Sequence, residues 1–194
     1  MDAHDDPIHL ALLLGSDREG RFGPVVADWF LACAQRRPGL AVELIDVAAL
    51  DLPSRMPAGA HPKVDAYAAR LATSDAIVVV TPEYNHSYPA ALKQAIDLTN
   101  GEWRGKPVGF VSYGGLSGGL RAVEHLRVVF AELRAVTLRQ TVSLHGAHAQ
   151  FHDDGRPKNP QVLERAAHAL LDELVWWAHP LRSARATTPY PQSA

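Results

Sequence analysis

Ala76-Ile77-Val78-Val79-Val80-Thr81-Pro82-Glu83-Tyr84-Asn85-His86-Ser87-Tyr88-Pro89-Ala90-Ala91-Leu92-Lys93-Gln94-Ala95-Ile96-Asp97 is the stretch on which the fold turns. Ala76–Val80 is almost purely apolar and β-branched, the composition of a strand buried on both faces. Thr81–Pro89 carries two prolines and several polar groups, so it reads as a stiff loop. Ala90–Leu98 then returns to helical spacing. A strand buried on both faces needs helices on both sides, which is the arrangement of a parallel sheet.

Upstream, Ile8–Leu14 reads as a buried strand and Pro24–Arg36 as a helix with Pro24 in its first turn. Ala41–Asp46 is a second strand, Leu50–His61 a proline-rich loop, and Lys63–Thr73 a helix. Downstream come a strand at Pro107–Val111, a helix at Leu120–Leu133, a weaker strand at Val136–Val142 and a last helix over about Gln161–Trp177. The order βαβαβαβαβα implies a doubly wound α/β sheet of five strands, in one domain over residues 1–182, with a disordered tail at 183–194. Ligands of such sheets bind beyond the carboxyl ends of the strands. The loops after Leu14, Val80 and Val111 are the three of unusual composition, so the chemistry belongs there.

Bulk properties narrow the classes. A chain of 194 residues with a net charge of −2 lacks the basic excess of a nucleic-acid binder. One cysteine, Cys33, excludes an internal disulfide and a multi-cysteine metal site. No apolar run approaches the roughly 20 residues that span a bilayer, and residues 1–7 do not resemble a signal peptide. A cytoplasmic protein is expected.

The first loop, Gly15-Ser16-Asp17-Arg18-Glu19-Gly20-Arg21-Phe22-Gly23-Pro24, suits a terminal phosphate. Its glycines let backbone N–H groups converge, Ser16 supplies a hydroxyl and Arg18 a charge. The glycine spacing does not fit G-x-G-x-x-G, and Gly101–Lys106 is not a Walker loop.

Thr81–Pro89, as T-P-E-Y-N-x-S-x-P, followed by L-K-x-A-I-D, resembles the flavin loop of the NADPH-dependent FMN reductase family. Gly15–Arg18 and Ser112-Tyr113-Gly114-Gly115 match the same family in the same order, and the resemblance covers roughly residues 8–145. It implies a flavodoxin-like sheet of order 2-1-3-4-5 with FMN at the switch point between strands one and three. It also implies an oxidoreductase that passes hydride from NADH or NADPH through FMN to a small electron acceptor such as a quinone, free flavin or azo compound. The flavin contacts it carries over are Ser16, Arg18, Phe22, Gly23 and Pro24 in the first loop. Pro82, Glu83, Tyr84, Asn85 and His86 follow in the second, and Ser112, Tyr113, Gly114 and Gly115 in the third. No side chain is assigned as an obligatory proton donor, and no metal is expected.

Two rivals come from the same residues. Gly115-Leu116-Ser117-Gly118-Gly119 is a formal G-x-S-x-G between strand and helix, the signature of a serine hydrolase with Ser117 as nucleophile. His145, His148, His152, His168 and His179 follow it, with Asp153, Asp154 and Asp172. The other rival is a flavodoxin-type electron carrier, whose strongly acidic surface this mildly acidic chain lacks. His145, His148 and His152 have a loose metal-like spacing, but solvated histidines are the favoured reading.

A homodimer or tetramer is expected. Ala91, Leu92, Ala95 and Ile96 on one helix, and Val123, Leu126, Val128, Val129, Phe130 and Leu133 on another, place apolar residues on more than one side. By resemblance these helices pair, bringing Leu52, Pro53 and Met56 of one subunit toward the other's flavin. Trp29, Trp176 and Trp177 are expected in the core or an interface, and Trp103 at the rim near a neighbouring subunit.

Overall fold

The sheet runs parallel in the order β2-β1-β3-β4-β5 in the computed structural model, which describes residues 6–188 and 190–191. Its strands are β1 (Ile8–Leu14), β2 (Leu40–Asp46), β3 (Ala76–Pro82), β4 (Pro107–Gly114) and β5 (Val136–His145). The helices are α1 (Gly23–Gln35), α2 (Pro62–Ala72), α3 (Ala90–Asp97), α4 (Leu120–Glu132), the short α5 (Ala147–Gln150) and α6 (Pro160–Thr187). This is the flavodoxin-like topology.

Every residue of β3 is buried, because helices cover both faces of the central strand. Leu10, Leu12, Val78 and Val80 face α1 and α6, while Leu13, Ile77 and Val79 face α2, α3 and α4. Each fully buried valine, leucine or isoleucine side chain contributes about 1.5–3 kcal/mol. The register places Leu14 opposite both Asp46 and Val80, Pro82 opposite Tyr113, and Gly114 opposite His145. The strands thus finish at one rim, and the loops that follow them converge.

Element ends differ from expectation mainly in the later strands. β3 extends to Pro82, β4 to Gly114 and β5 to His145, because pairing with a neighbour continues into the polar residues. The short α5 and its neighbour Phe151 were not expected at all.

The tail differs more. Residues 183–187, expected to be disordered, continue α6 past Pro180. Pro180 removes one backbone donor, but Arg185 donates to the Gly105 carbonyl at 2.6 Å and to Asp75 at 3.2 Å. Arg182 donates to the Pro7 carbonyl at 3.0 Å, and Asp75 also accepts from the His9 N–H at 3.1 Å. These bonds clamp the tail to the amino ends of the strands, where Lys106 donates to the carbonyls of Leu71 and Ala72 at the end of α2. Residues 189 and 192–194 of the expected tail, and residues 1–5, lie outside the described residues.

The tryptophans divide unevenly. Trp103 is fully buried, donating to Thr99 Oγ1 at 2.9 Å, so it is a core residue and not a rim contact. Trp29 is buried, whereas Trp176 is 65% exposed.

Candidate functional site

A cleft of about 540 Å³ opens at the rim where the strands end. Arg18, Gly20, Arg21 and Phe22 line it from the β1–α1 loop, and Pro82, Glu83 and Tyr84 from the loop after β3. Tyr113, Gly114 and Gly115 come from the end of β4, and residues 146–149 from the start of α5. Its size lies within the range of small-ligand pockets.

The β1–α1 loop is pinned from below. Arg21 pairs with Asp46 at the end of β2, one bond measuring 2.7 Å, and also donates to the Ser16 carbonyl. The Asp46 bond is the main reason the Arg21 guanidinium is held still more firmly protonated than usual, against the opposing effect of burial. Ser16 is fully buried, its hydroxyl 2.8 Å from that of Tyr84. This bond joins the first loop to the second. Among the described residues, the backbone N–H groups of residues 17–20 and the Arg18 guanidinium have no protein acceptor. A Cβ on Gly20, whose φ is +64°, would meet nothing within 4 Å. Free donors around open space are what a phosphate needs.

In the second loop the chain reverses at Asn85 and His86, with φ of 47° and 74°. Tyr84 and Ser87 exchange backbone bonds of 2.8 and 3.0 Å across them. Two consecutive positive φ angles mark a two-residue hairpin turn. That turn directs His86 away from the cleft toward α4, where Arg121 donates to its Nδ1 at 3.0 Å. Neighbouring Ser87 shares a 3.0 Å bond with His125 Nδ1.

Glu83 lines the cleft, and its carboxylate is engaged by neighbouring side chains. Arg121 Nε lies 2.6 Å from Oε1, and the Ser117 hydroxyl donates to Oε2 at 2.6 Å. Burial works to raise the pKa of this carboxyl, but the bonds from Ser117 and the Arg121 N–H, with the Arg121 charge, hold it below the ordinary value. A depressed carboxyl pKa adds stability above 4.5 that is lost as pH falls through the folded value. Denaturant midpoints of wild type and Glu83→Gln, compared above and below pH 4.5, are therefore expected to converge on acidification.

The third loop follows β4 closely. Ser112 is buried and donates to the Gly118 carbonyl at 2.8 Å, so it shapes the loop from beneath. Tyr113 is buried against α1, where a Cβ on Gly23 would lie 2.7 Å from its hydroxyl. Ser16 is nearby but engaged by Tyr84, and the Tyr113 hydroxyl lacks a partner of good geometry among the described residues. Burial, reinforced by Tyr84, pushes the Tyr113 phenol well above its ordinary value, so it stays protonated. Gly115 leaves open space where a Cβ would stand.

The expected site residues therefore separate by position. Arg18, Phe22, Pro82, Glu83, Tyr84, Tyr113, Gly114 and Gly115 line the cleft. Ser16, Gly23, Pro24 and Ser112 support it, and Asn85 and His86 form the turn beside it. Sequence reasoning missed Arg21 and residues 146–149. The rule that ligands sit beyond strand ends would have found the latter had β5 been extended to His145. Among the described residues no group of His, Cys, Asp or Glu is arranged to hold a metal ion. His145 instead donates to the Leu116 carbonyl at 2.9 Å.

Comparison with known proteins places this geometry. The model of NADPH-dependent FMN reductases matches residues 8–149, well over half of the chain. The chain belongs to the NADPH-dependent FMN reductase family. It is 32% identical over 167 residues to a quinone reductase of Escherichia coli, covering 82% of this chain and 87% of that one. It is 34% identical over 119 residues to an NAD(P)H-dependent FMN reductase of Schizosaccharomyces pombe, covering 57% of this chain and 60% of that protein. Among solved structures, the flavoenzyme NAD(P)H:(acceptor) oxidoreductase FerB of Paracoccus denitrificans superposes with a TM-score of 0.73 at 25% identity. That match covers 87% of this chain and 98% of FerB. The protein is accordingly an FMN-dependent NAD(P)H oxidoreductase.

The hydrolase reading fails on geometry as well. Ser117 stands three residues beyond the end of β4, positive φ falls on Gly118 and Gly119, and the serine hydroxyl is bonded to Glu83 instead of to a histidine. Named relatives of this FMN reductase are enzymes, which also disfavours a simple electron carrier.

Proposed function

We propose that this FMN reductase family member passes hydride at the rim cleft to a small acceptor such as a quinone, free flavin or azo compound, with a quinone as the first to test. The observation that supports this most directly is the cleft itself, where loops from four strand ends bring together free N–H donors, two tyrosines and open glycine surfaces. The quinone reductase relative supports the choice of acceptor. FMN, when bound, supplies hydride uptake and release.

This chain's own residues bind and orient. The N–H groups of residues 17–20, with Arg18, hold the phosphate. Pro82 and the Tyr84–Ser87 turn keep the second loop stiff, lowering the ordering cost of binding. Tyr84 and Tyr113 wall the cleft, and the backbone of Gly114 and Gly115 meets the ring edge. Glu83, Asn85, His86 and Ser112 keep those surfaces in place, while Gly23 and Pro24 set the start of α1. The buried, free Cys33 suits a reducing compartment such as the cytoplasm.

Denaturing the purified protein and weighing the released cofactor tests the flavin, and anaerobic NADPH followed by a quinone tests the turnover. Recovery of FAD, or a bound flavin that NADPH and NADH both fail to bleach, would sink the reading. Ser117→Ala is expected to cost about 1.5–3 kcal/mol of stability, the range for a bond to a charged group. Bleaching should persist in that variant, and an esterase activity that disappears with Ser117 would contradict the assignment.

A homodimer or tetramer belongs to the same proposal, on narrower grounds than the sequence suggested. Leu92, Ala95, Ile96, Val123, Leu126 and Phe130 are all core residues of the monomer. Ala91, Val129 and Leu133 are partly covered, leaving Val128 as the exposed member of the set at 69%. Leu116 and Leu120 in and after the third loop, with Val128 and Met56, are exposed apolar groups available for pairing, as are Val162 and Trp176 on α6. Light scattering at low micromolar concentration should give at least twice the 21.1 kDa chain mass, and Leu116→Asp/Val128→Asp should lower it. A monomer with full flavin content and turnover would exclude a shared site.

A further inference from the structure

We propose that His148 is a flavin-contacting residue whose imidazole donates a hydrogen bond that favours the reduced, negatively charged form of the cofactor. The inference rests on the FMN reading above and assigns a role to a side chain outside the matched motifs.

The first ground is position. His148 lines the cleft from α5. The Gly146 N–H donates to the Gly115 carbonyl at 2.8 Å, which docks the start of α5 on the loop proposed to meet the ring edge. From the other side, Phe151 is buried against Phe22 and Trp29, with ring centroids 5.7 and 6.2 Å apart. The imidazole lies 4.2 Å from the Phe22 ring, tilted by 44°. An otherwise exposed ring is thus held in one place by aromatic contact.

The second ground is elimination among the polar side chains that line the cleft. Arg21 is engaged by Asp46, Glu83 by Arg121 and Ser117, and Tyr84 by Ser16. Tyr113 is buried with its hydroxyl against Gly23. Arg18 remains for the phosphate. Among the described residues the ring nitrogens of His148 bond to no protein group, and a neutral or protonated imidazole always carries at least one donor. A donor aimed at developing negative charge acts more strongly on the reduced than on the oxidised cofactor.

His148→Phe keeps the ring contact with Phe22 and removes the donor, and His148→Ala removes both. A charge-assisted bond corresponds to about 10- to 100-fold in affinity. His148→Phe should therefore weaken binding of reduced FMN by about that factor more than binding of oxidised FMN. Its midpoint potential should fall by about 30–60 mV, since tenfold is 29.6 mV for a two-electron couple. His148→Ala should match that shift and bind oxidised FMN more weakly as well. Titration of the apoproteins with FMN and spectroelectrochemistry of the holoproteins give both readouts without turnover. A wild-type potential in both variants overturns the proposal, as does an equal loss of affinity for the two redox forms. Failure of the wild-type apoprotein to take up FMN would instead overturn the flavin reading, and this inference with it.

Discussion

A Ser16→Ala/Arg18→Ala double variant is expected to bind FMN about 30- to 1,000-fold more weakly while remaining folded. The Arg18 contact to a charged phosphate contributes about 1.5–3 kcal/mol and the Ser16–Tyr84 bond that ties the first loop to the second about 0.5–1.5 kcal/mol, and each 1.4 kcal/mol is tenfold in affinity. Arg18 is exposed at the cleft with no protein acceptor among the described residues, so its removal leaves no buried group unpaired. Ser16 carries more risk, because its loss also frees the Tyr84 hydroxyl. The single variants separate the two effects. Arg18→Ala should lose affinity with an unchanged denaturant midpoint, and Ser16→Ala should lose affinity with a modest drop in stability. Fluorescence titration of apoprotein with FMN measures the first quantity and urea unfolding the second. Unchanged affinity in the double variant would place the phosphate elsewhere.

Gly119→Ala is expected to be the most damaging small substitution near the cleft. Gly119 has φ of +86°, which costs a residue with a side chain about 1–3 kcal/mol. A Cβ there would also lie 2.6 Å from Ser112 Cβ and 2.9 Å from the Tyr113 backbone nitrogen. Backbone of the central sheet cannot yield as a surface side chain can, so overpacking adds about 1–3 kcal/mol. The summed loss of about 2–6 kcal/mol is a large part of a typical domain's stability. Because Gly118–Gly119 fixes the loop containing Gly115, flavin content should fall along with the midpoint. Gly115→Ala is the control: its Cβ would meet no neighbour within 4 Å, and its φ is not positive. Near-wild-type stability in Gly119→Ala would show that the third loop is far softer than its contacts imply.

The central strand and its loop were legible for a simple reason. Ala76–Val80 has no polar side chain, which suits a strand buried on both faces, and the alternation of strands with helices points to a parallel sheet covered by helices. The prolines and glycines of the three loops punctuate the chain wherever a strand ends, so the convergence of those loops followed from topology alone. Helix burial was less legible. Apolar residues lie on more than one side of α3 and α4, but burial follows one stripe of each, Leu92, Ala95 and Ile96 on the first and Val123, Leu126 and Phe130 on the second, and leaves Val128 exposed.

What the sequence determined by itself was the alternation of strands and helices, the three motif loops and the family they resemble. Each is set by local composition or by contiguous residues. What only the tertiary structure decided were contacts between residues far apart in the chain. Arg21 reaches Asp46 and stiffens the first loop, while Arg18, three residues earlier, has no protein acceptor among the described residues. Ser117 reaches back to Glu83, which removes it as a nucleophile. Arg182 and Arg185 fold the tail onto the far end of the sheet, and Phe22 holds His148 at the cleft. A side chain's neighbours across space depend on strand register and helix placement, and these are fixed only when the whole core has packed.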